Sequence, residues 1–530
     1  MKFNKNCLFL FLFCLVIYGA FLGTIPLLDP DEPVYGETAK EMIAFGDFLS
    51  PRIYGEFWYD KPPLFYWLEA LSFSPFGVST WTARLPSLLL GALTPVYLYL
   101  SSRKLIGERA ALRGAFICAS SLEIIVLARS SVTDTLLTLT LTIALMSFLR
   151  KEYFTAYIFC GLALLTKGPV GFGFPALIVG IWMICTKQFN LKNVMGLKWY
   201  WGIPLACLAG LPWYIAMGWI HGGPFIDTFL GYHNVTRFVS PEHAGQNHYW
   251  LYLVVLLAGF YPWCGTLPGI FRRARQWMKD RAASFFLVWA LFIFVFFSLS
   301  STQLFSYILP MFPPLSMLAG MYMTDCEKTG HISKALILFH LFFSLLTAGA
   351  IALAPITPAG GVPVRWGIAL FMAAAAVFAS VSLKKGRFHT FMVSQALLIL
   401  VFVISIWGAF SSPVSSLFTS KAIAEKLAST ERDSSIPLYI DTFYRPSTAF
   451  YTDIYGSALP EFDLRKQETE EKNAAKGVLL PGKDEKADIP SSAYILVQKK
   501  VYKNWPEEKK SHLTLLWEKD TAFLFLKKED

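Results

Sequence analysis

Long apolar runs recur along most of this chain, and they constrain its fold more than any other feature. A helix needs about 20 mainly apolar residues to cross the hydrocarbon core of a bilayer. Runs of this kind begin at residue 7 and continue to residue 410. Only 16% of the 530 residues are charged, against roughly 25% in an average soluble domain. The sequence therefore predicts a polytopic membrane protein.

The runs predict a bundle of about thirteen transmembrane helices. Lys2 and Lys5 precede the first run, which is too long for a signal-peptide core and lacks a small-residue cleavage site, so we predict an uncleaved first span. The stretch 154–186 fits either one span or two. The predicted spans are 7–28, 82–101, 110–128, 132–149, 154–166, 168–186, 199–220, 249–270, 283–299, 304–324, 333–354, 364–383 and 391–410.

Basic residues gather in the short connections between these runs. The net charge is +10, and cytoplasmic loops of membrane proteins carry an excess of Lys and Arg. Every basic connection falls on one side if 154–186 contains two spans, which predicts a cytoplasmic N-terminus and an external C-terminal region. The connections contain Arg103, Lys104, Arg109 and Arg113; Arg150 and Lys151; Lys187, Lys192 and Lys198; Arg272, Arg273, Arg275, Lys279 and Arg281; and Lys384, Lys385 and Arg387.

Composition also argues against two other kinds of protein. The basic residues form no soluble patch interleaved with aromatic side chains, so nucleic acid is not a predicted partner. The eight cysteines lie almost entirely in apolar runs, and no CxxC pair is present. The sequence predicts neither a disulfide framework nor a thiolate metal site.

Three segments on the predicted outer side are distinctive. The first loop, 29–81, is acidic and aromatic, and the second, 221–248, holds four of the eight histidines. The region after residue 411 is polar. In it SKAIAEKLAST predicts a helix, and PLYIDT, AYILVQK, LTLLWEK and AFLFLKK predict strands. We therefore predict a transmembrane domain over 1–410 and a small extracytoplasmic α/β domain over 411–530.

The segment PVYGETAKEMIAFGD in the first loop predicts a short amphipathic helix. We expect it to lie flat on the outer membrane interface, with its polar side toward water. The apolar face carries Tyr35, Ala39, Met42 and Ile43, and the polar face carries Glu37, Lys40, Glu41 and Asp47.

Ionisable residues at span ends are expensive to hold there and are candidates for function. Each has an ordinary interpretation when it is taken alone. Asp134, beside Thr133, could cap a helix, and Lys61 or Lys167 could reach lipid phosphates. The topology brings them all to the outer face, which favours a shared site. The set contains Asp31, Glu32, Asp60, Lys61, Asp134, Lys167, His233, Arg237 and His243.

These segments resemble a known group of proteins. DPDEPVYGETAKEM and GDFLSPRIYGEFWYDKPPLFYWL are similar to the first outer loop of the lipid A aminoarabinose transferases and the protein O-mannosyltransferase-like proteins. The resemblance spans roughly residues 25–325. Further similar segments, in the same order, are ARSSVTDTLL, LLTKGPVGFGFPAL, YHNVTRF, PEHAGQNHYWLYL, GFYPW and STQLFSYILPMFPPL.

The resemblance implies a GT-C glycosyltransferase in a bacterial inner membrane. Such an enzyme transfers a sugar from a polyprenyl phosphate, here undecaprenyl phosphate, to an acceptor such as lipid A, with inversion and without a nucleotide cofactor. The resemblance also implies site residues: Asp31 as catalytic carboxylate with Glu32 beside it, Asp134 as the second acidic position, Lys61, Lys167, Tyr35, Arg237 and Tyr307 as donor-phosphate contacts, and Asp60 with His243 as a divalent-metal position found in some relatives.

The chain departs from the aminoarabinose transferases at two places. Val34 stands where they carry Arg, and Leu304–Ser306 replaces the usual Lys before YILP. Both changes remove positive charge near the expected phosphates, so the sugar or the acceptor is open.

Other functions also fit a membrane protein of this kind. One is a protein O-mannosyltransferase-like enzyme acting on a protein or another envelope glycan. A transporter of a lipid-linked sugar would place charges near mid-membrane in repeated halves, and no such repeat appears. A polysaccharide ligase or polymerase would not be expected to carry this first loop. A structural or sensor protein that binds through its C-terminal domain is a further alternative: deletion of the residues after about 411 should abolish its function but leave an enzyme some activity.

Overall fold

The computed structural model describes residues 4–229, 231, 250–411, 415, 418–460 and 489–528. Arg237 and His243, together with His233 and His248, lie outside the described residues. Within the described residues up to 404, nineteen α-helices form the bundle. They are α1 Lys5–Gly19, α2 Asp31–Phe45, α3 Leu64–Phe76, α4 Thr80–Ile106, α5 Glu108–Ser120, α6 Leu122–Leu127, α7 Asp134–Arg150, α8 Tyr153–Lys167, α9 Val170–Cys185, α10 Leu191–Gly196, α11 Trp199–His221, α12 Gly223–Phe225, α13 Leu251–Gly259, α14 Leu267–Trp277, α15 Arg281–Ser298, α16 Phe312–Thr329, α17 Lys334–Ala352, α18 Gly361–Lys384 and α19 Phe388–Ile404.

The protein is a multi-pass membrane protein, but the thirteen predicted spans are not matched by thirteen long helices. Among the described residues, six helices are long and apolar enough to cross a membrane, or seven if one bent pair counts as a span. Three further apolar helices, α1, α8 and α9, are shorter. The stretch 154–186 contains two helices, α8 and α9, separated at Gly168 and Pro169.

Several predicted spans are interrupted. The first apolar run continues to residue 28, but α1 ends at Gly19. The run 110–128 is divided at Ser121 into α5 and α6. In the run 249–270, α13 and the segment Cys264–Trp277 meet at an angle of 111°. An apolar run indicates which segment lies in the membrane but not where its helix breaks. The apolar runs therefore predicted longer helices than the structure contains.

One close helix crossing in the bundle depends on glycine. At the crossing of α5 and α16, a Cβ on Gly320 would lie 2.5 Å from the Ala110 carbonyl oxygen, and one on Gly114 would lie 3.0 Å from the Met317 Cα. No side chain fits at these distances. Small residues that let helix backbones approach are typical of helix packing in membranes.

The C-terminal region contains the predicted α/β elements. Strands β1 Arg52–Ile53 and β2 Glu56–Phe57 form a hairpin in the first loop, and five further strands form a mixed sheet in the order β4-β3-β5-β7-β6. β3 is parallel to β4 and β5, and β7 is antiparallel to β5 and β6. The elements are β3 Leu438–Ile440, β4 Ser457–Ala458, β5 Ser492–Gln498, β6 Leu513–Lys519, β7 Ala522–Lys528, α20 Lys421–Ala428, α21 Arg445–Thr452, α22 Lys499–Lys503 and α23 Glu507–Lys510.

The C-terminal region packs directly against the first loop through α21. Phe450 is buried with Leu27, Ala39 and Met42 in one apolar cluster. The backbone N–H of Leu27 donates to the Tyr451 hydroxyl at 2.8 Å. Lys40 Nζ donates to the Ala449 carbonyl at 2.8 Å. The C-terminal region therefore covers the first loop.

This contact corrects the prediction for the amphipathic helix. The helix is present as α2, but its polar face is not solvated. Glu37 and Glu41 are both 0% exposed. Glu41 accepts hydrogen bonds from the backbone N–H groups of Tyr54 and Gly55 at 2.5 and 2.9 Å, and Glu37 pairs with Lys40 at 2.8 Å. The hairpin and α21 cover the face that we expected to meet water.

Candidate active site

The candidate site begins with the hairpin of α7 and α8. Asp134 is the first residue of α7 and Lys167 is the last residue of α8. Two antiparallel helices of similar length bring such residues to the same end. Lys167 Nζ lies 2.7 Å from Asp134 Oδ1, and it also lies over the ring of Tyr307, 4.8 Å from the centroid. The Tyr307 ring is supplied by a 3-10 helix, Phe305–Met311.

A second carboxylate–lysine pair comes from the first loop. Lys61 Nζ lies 2.7 Å from Asp60 Oδ1, and both side chains are largely buried. They precede Pro62 and Pro63, after which α3 begins at Leu64. The two prolines restrict the backbone conformations that this segment can take.

Tyr35 is affected by the charges of both carboxylate–lysine pairs and of Asp31. Burial raises the pKa of the Tyr35 phenol well above its ordinary value, and the negative charges of Asp60, Asp134 and Asp31 raise it further, together with Tyr66. Such electrostatic effects require nearby charges. All three aspartates therefore lie near enough to Tyr35 for their charges to act on its hydroxyl, although 103 positions separate Asp31 from Asp134 in the sequence.

Asp31 and Glu32 differ sharply although they are adjacent. Asp31 is exposed at the N-terminus of α2, where the positive end of the helix dipole favours its charge. Glu32 is 3% exposed. Its two carboxylate oxygens accept from Arg84 Nε and Nη2 at 2.9 and 2.6 Å, and from the backbone N–H groups of Ser131 and Leu28 at 2.7 Å each. This places Glu32 in a saturated buried pair.

Sequence reasoning did not single out the residues around Glu32. Besides Glu32, Arg84 donates to the carbonyls of Leu22, Ile25 and Pro26. Ser131 donates its hydroxyl to Glu69. Burial raises the pKa of the Glu69 carboxyl well above its usual range, and Glu32 adds to the effect. An arginine and a glutamate in otherwise apolar segments were the available signal.

We call this group the support cluster; it consists of Glu32, Arg84, Ser131 and Glu69. It connects α2 and the segment before it with α3, α4 and the turn before α7. Asp134 follows Ser131 by three residues. The cluster thus fixes the relative positions of the elements that carry Asp31 and Asp134.

The implied metal position is only partly described. Asp60 supplies one carboxylate, which is engaged by Lys61, and His243 lies outside the described residues. Among the residues that the structure describes, no group of three or more His, Cys, Asp or Glu side chains could hold a metal ion. The described donors alone do not make up a cation site.

The chain is similar to known proteins in sequence. Residues 60–215 match the family described as dolichyl-phosphate-mannose-protein mannosyltransferase. The undecaprenyl phosphate-alpha-4-amino-4-deoxy-L-arabinose arabinosyl transferase 2 of Sodalis glossinidius is 32% identical over 342 residues, and that of Edwardsiella ictaluri is 29% identical over 343. Each alignment covers 62% of this chain and 60% of the relative. The chain thus matches about three fifths of the length of these curated relatives.

Similarity in structure extends over the whole chain. The crystal structure of ArnT from Cupriavidus metallidurans bound to undecaprenyl phosphate superposes with a TM-score of 0.75, covering 98% of this chain and 97% of that one at 21% identity. An identity this low shows a common fold. In sequence and in fold, the chain therefore resembles the GT-C glycosyltransferases of the aminoarabinose transferase and protein mannosyltransferase type.

Proposed function

We propose that this protein is an integral membrane glycosyltransferase that moves a sugar from undecaprenyl phosphate to an extracytoplasmic acceptor such as lipid A. The observation that carries the proposal is the meeting of three aspartates and two lysines at one end of the bundle. The similarity in sequence to arabinosyl transferases and the undecaprenyl phosphate bound to the Cupriavidus protein support it.

The lysines would act on the donor phosphate. The leaving polyprenyl phosphate is an anion of low basicity, so it does not need a proton from an acid. It needs fixed positive charge near the bridging oxygen as the bond to the anomeric carbon breaks. An ammonium group has three donors, so Lys61 and Lys167 can each bridge an aspartate and a phosphate oxygen. Tyr35 and Tyr307 would border the same phosphate.

Asp31 would act on the acceptor. When an acceptor hydroxyl attacks the anomeric carbon, its oxygen forms the new bond and its proton passes to the Asp31 carboxylate. The electron pair of the broken carbon–oxygen bond leaves with the polyprenyl phosphate, and the single displacement inverts the anomeric carbon. If the acceptor is a lipid A phosphate, no proton is transferred and Asp31 would orient the nucleophile.

Asp134 and Glu32 would position other residues of the site. Asp134 would hold Lys167 toward the phosphate, because the two are paired at 2.7 Å. Glu32 would position Asp31 from behind, since Arg84 and two backbone N–H groups already use its oxygens. We therefore assign Glu32 as a positioning residue. Arg237, which lies outside the described residues, stays a predicted phosphate contact.

The finer topology belongs to the same proposal. We infer thirteen spans, a cytoplasmic N-terminus, a catalytic domain over 1–410 and a periplasmic domain over 411–530 in a bacterial inner membrane. The signs of the loop charges support this orientation. Cysteine labelling from outside intact cells tests it. The Lys104→Cys variant should stay unlabelled at that position, and the Glu508→Cys variant should be labelled. The opposite pattern would reverse the topology.

A divalent metal held by Asp60 and His243 stays a separate prediction. The test is the metal content of the purified protein, together with transfer measured before and after chelation. Equal transfer after complete removal of metal would show that Asp60 serves only to hold Lys61.

The main test is Asp31→Asn in the full-length protein, assayed with undecaprenyl phosphate sugar. We expect transfer to fall about 100- to 10,000-fold, the usual contribution of a general base, with thermal unfolding unchanged. Glu56→Gln is the matched control, because Glu56 is an exposed carboxylate of the same loop. An active Asp31→Asn enzyme would remove the mechanism. Uptake of lipid-linked sugar into vesicles without a covalent product would favour a transporter.

One observation favours a second acceptor class. The family match over residues 60–215 is to protein mannosyltransferases, and two positive charges typical of aminoarabinose transferases are missing at Val34 and at Leu304–Ser306. Mass spectrometry of envelope lipids and glycoproteins, with and without the protein, separates the two. A modified protein in place of modified lipid A would support this alternative.

A further inference from the structure

A cavity lined by basic residues lies at the end of the bundle remote from the candidate active site. Its volume is about 430 Å³. We call it the basic cavity. Its lining residues come from the C-terminal ends of α4 and α7 and from the N-terminal end of α15. They are Leu100, Ser101, Arg103, Lys104, Leu105, Leu149, Arg150, Lys151 and Arg281.

Helix geometry puts this cavity at the other membrane surface. Asp134 and Arg150 are the first and last residues of α7, which at about 1.5 Å per residue separates them by about 24 Å. Arg84 and Arg103 on α4 are separated by about 28 Å in the same way. A bilayer hydrocarbon core is about 30 Å thick. The active-site candidates and the basic cavity therefore face opposite interfaces.

The lining contains an excess of positive charge. Five of the nine lining residues are Lys or Arg. No Asp or Glu lines the cavity in the described part of the chain. Arg150 pairs with Glu152 outside the lining at 2.6 Å. Like charges held this close repel one another, so the arrangement favours an anion within the cavity.

Topology alone does not explain this arrangement. The positive-inside rule concerns how many basic residues a loop has, not their convergence from three helices into one concavity. Cations at the C-terminal ends of α4 and α7 are favoured by the helix dipoles, but Arg281 stands in the first turn of α15, where the dipole opposes a cation. Arg281 Nη2 donates to the Leu149 carbonyl at 2.8 Å, which aligns its guanidinium with the ends of α7.

We propose that the basic cavity binds the phosphate group of an anionic lipid at the interface opposite the candidate active site. Leu100, Leu105 and Leu149 border the cations and would meet the first carbons of the lipid chains. Basic pockets between transmembrane helices bind anionic lipid head groups in this manner. The bound phosphate would hold the ends of α4, α7 and α15 together.

The test compares full-length wild type with Lys104→Gln/Lys151→Gln. Both lysines are exposed, so the substitutions should leave the fold intact. The probe is phosphatidylglycerol in phosphatidylcholine nanodiscs, with retained lipid counted by native mass spectrometry. Each basic residue near an anionic lipid strengthens binding about fivefold, so we expect about 25-fold weaker retention in the double variant. Lys104→Arg/Lys151→Arg should retain lipid like wild type.

The matched control is Lys384→Gln/Lys385→Gln, which removes the same charge from the exposed C-terminal end of α18. It should retain phosphatidylglycerol like wild type. Equal loss in both glutamine variants, or loss in neither, would overturn the proposal. Binding of radiolabelled inorganic phosphate forms a second arm: a cavity-specific loss of phosphate binding without loss of lipid would keep the anion site but identify free phosphate as its ligand.

Discussion

Two groups of charged residues at the same end of the bundle are held in different ways. In the candidate active site, Lys167 and Lys61 each pair with one aspartate side chain, Asp134 and Asp60. In the support cluster, Glu32 receives two bonds from Arg84 and two from backbone N–H groups. A lysine ammonium has three donors, so a lysine paired with an aspartate can also donate to a phosphate oxygen, whereas the oxygens of Glu32 already accept from four donors. We expect this difference to separate the proposed reacting residues from the supporting residues.

The largest expected effect follows from breaking the saturated pair. Arg84→Met leaves the Glu32 carboxylate buried without its cation, which should lower the free energy of unfolding by about 3–5 kcal/mol. Chemical unfolding of the detergent-solubilised protein measures it. Arg109→Met is the control, because Arg109 is 78% exposed in its ion pair and such pairs contribute about 0–1 kcal/mol. Equal destabilisation in the two variants would erase the distinction between the groups.

The next effect concerns the exchangeable pair. Lys167→Met removes a cation from the developing phosphate charge and should lower kcat about 100- to 1,000-fold, the typical effect of losing one such donor. The loss of unfolding free energy should be smaller than in Arg84→Met. Lys421→Met is a control, since Lys421 forms an exposed pair with Glu425. If Lys167→Met unfolds the protein but leaves kcat intact in the folded fraction, Lys167 belongs to the support.

A smaller effect comes from Asp29, which binds the C-terminal region through Ser420 and Ser447. It accepts from the Ser420 backbone N–H at 2.8 Å and from the hydroxyls of Ser420 and Ser447. Burial raises the pKa of the Asp29 carboxyl to about 7, and the serine hydrogen bonds only partly oppose this.

The sign of the pH dependence follows from that pKa. Between about pH 4 and pH 7 the folded state holds a proton that the unfolded state has lost, so stability falls as pH rises through this range. The melting temperature should be higher at pH 5 than at pH 8, and Asp29→Asn should reduce the difference. A wild type that becomes steadily more stable up to pH 8 would contradict this.

The smallest effect tests the ring beneath Lys167. Tyr307→Leu removes a cation–π contact, which typically contributes about 0.5–1 kcal/mol, and should lower kcat/KM about two- to fivefold. Tyr307→Phe keeps the ring and should retain most of the activity. An effect of Tyr307→Phe as large as that of Tyr307→Leu would assign the role to the hydroxyl.

The sequence predicted the meeting of Asp134 with Lys167 for a physical reason. Two apolar runs joined by the basic turn at Arg150 and Lys151 must form an antiparallel hairpin, and residues at its open ends must be neighbours. The strands of the C-terminal sheet could be predicted equally well, because short apolar runs separated by polar turns are a local sequence signal for strands.

Other features depend on tertiary contacts and could not be predicted in this way. Asp31 and Glu32 are adjacent acids in the sequence, and their environments differ because of the tertiary partners of Glu32, which are Arg84, 52 residues further on, and Ser131. The burial of Glu37 and Glu41 depends on α21 and on the hairpin of β1 and β2, which single-helix periodicity does not contain. The roles of Arg237 and His243 stay predictions, since both lie outside the described residues.

The contact between α2 and α21 limits how this molecule can be recombined with its relatives. Gly36 faces Phe450 so closely that a Cβ there would lie 2.8 Å from the ring. Lys40 of α2 also meets Asp453, the residue after α21, at 2.8 Å. A chimera that exchanges the C-terminal region alone would set a foreign side chain against Gly36 and leave Lys40 facing an unmatched surface. Swaps that carry residues 31–45 and 445–453 together should assemble.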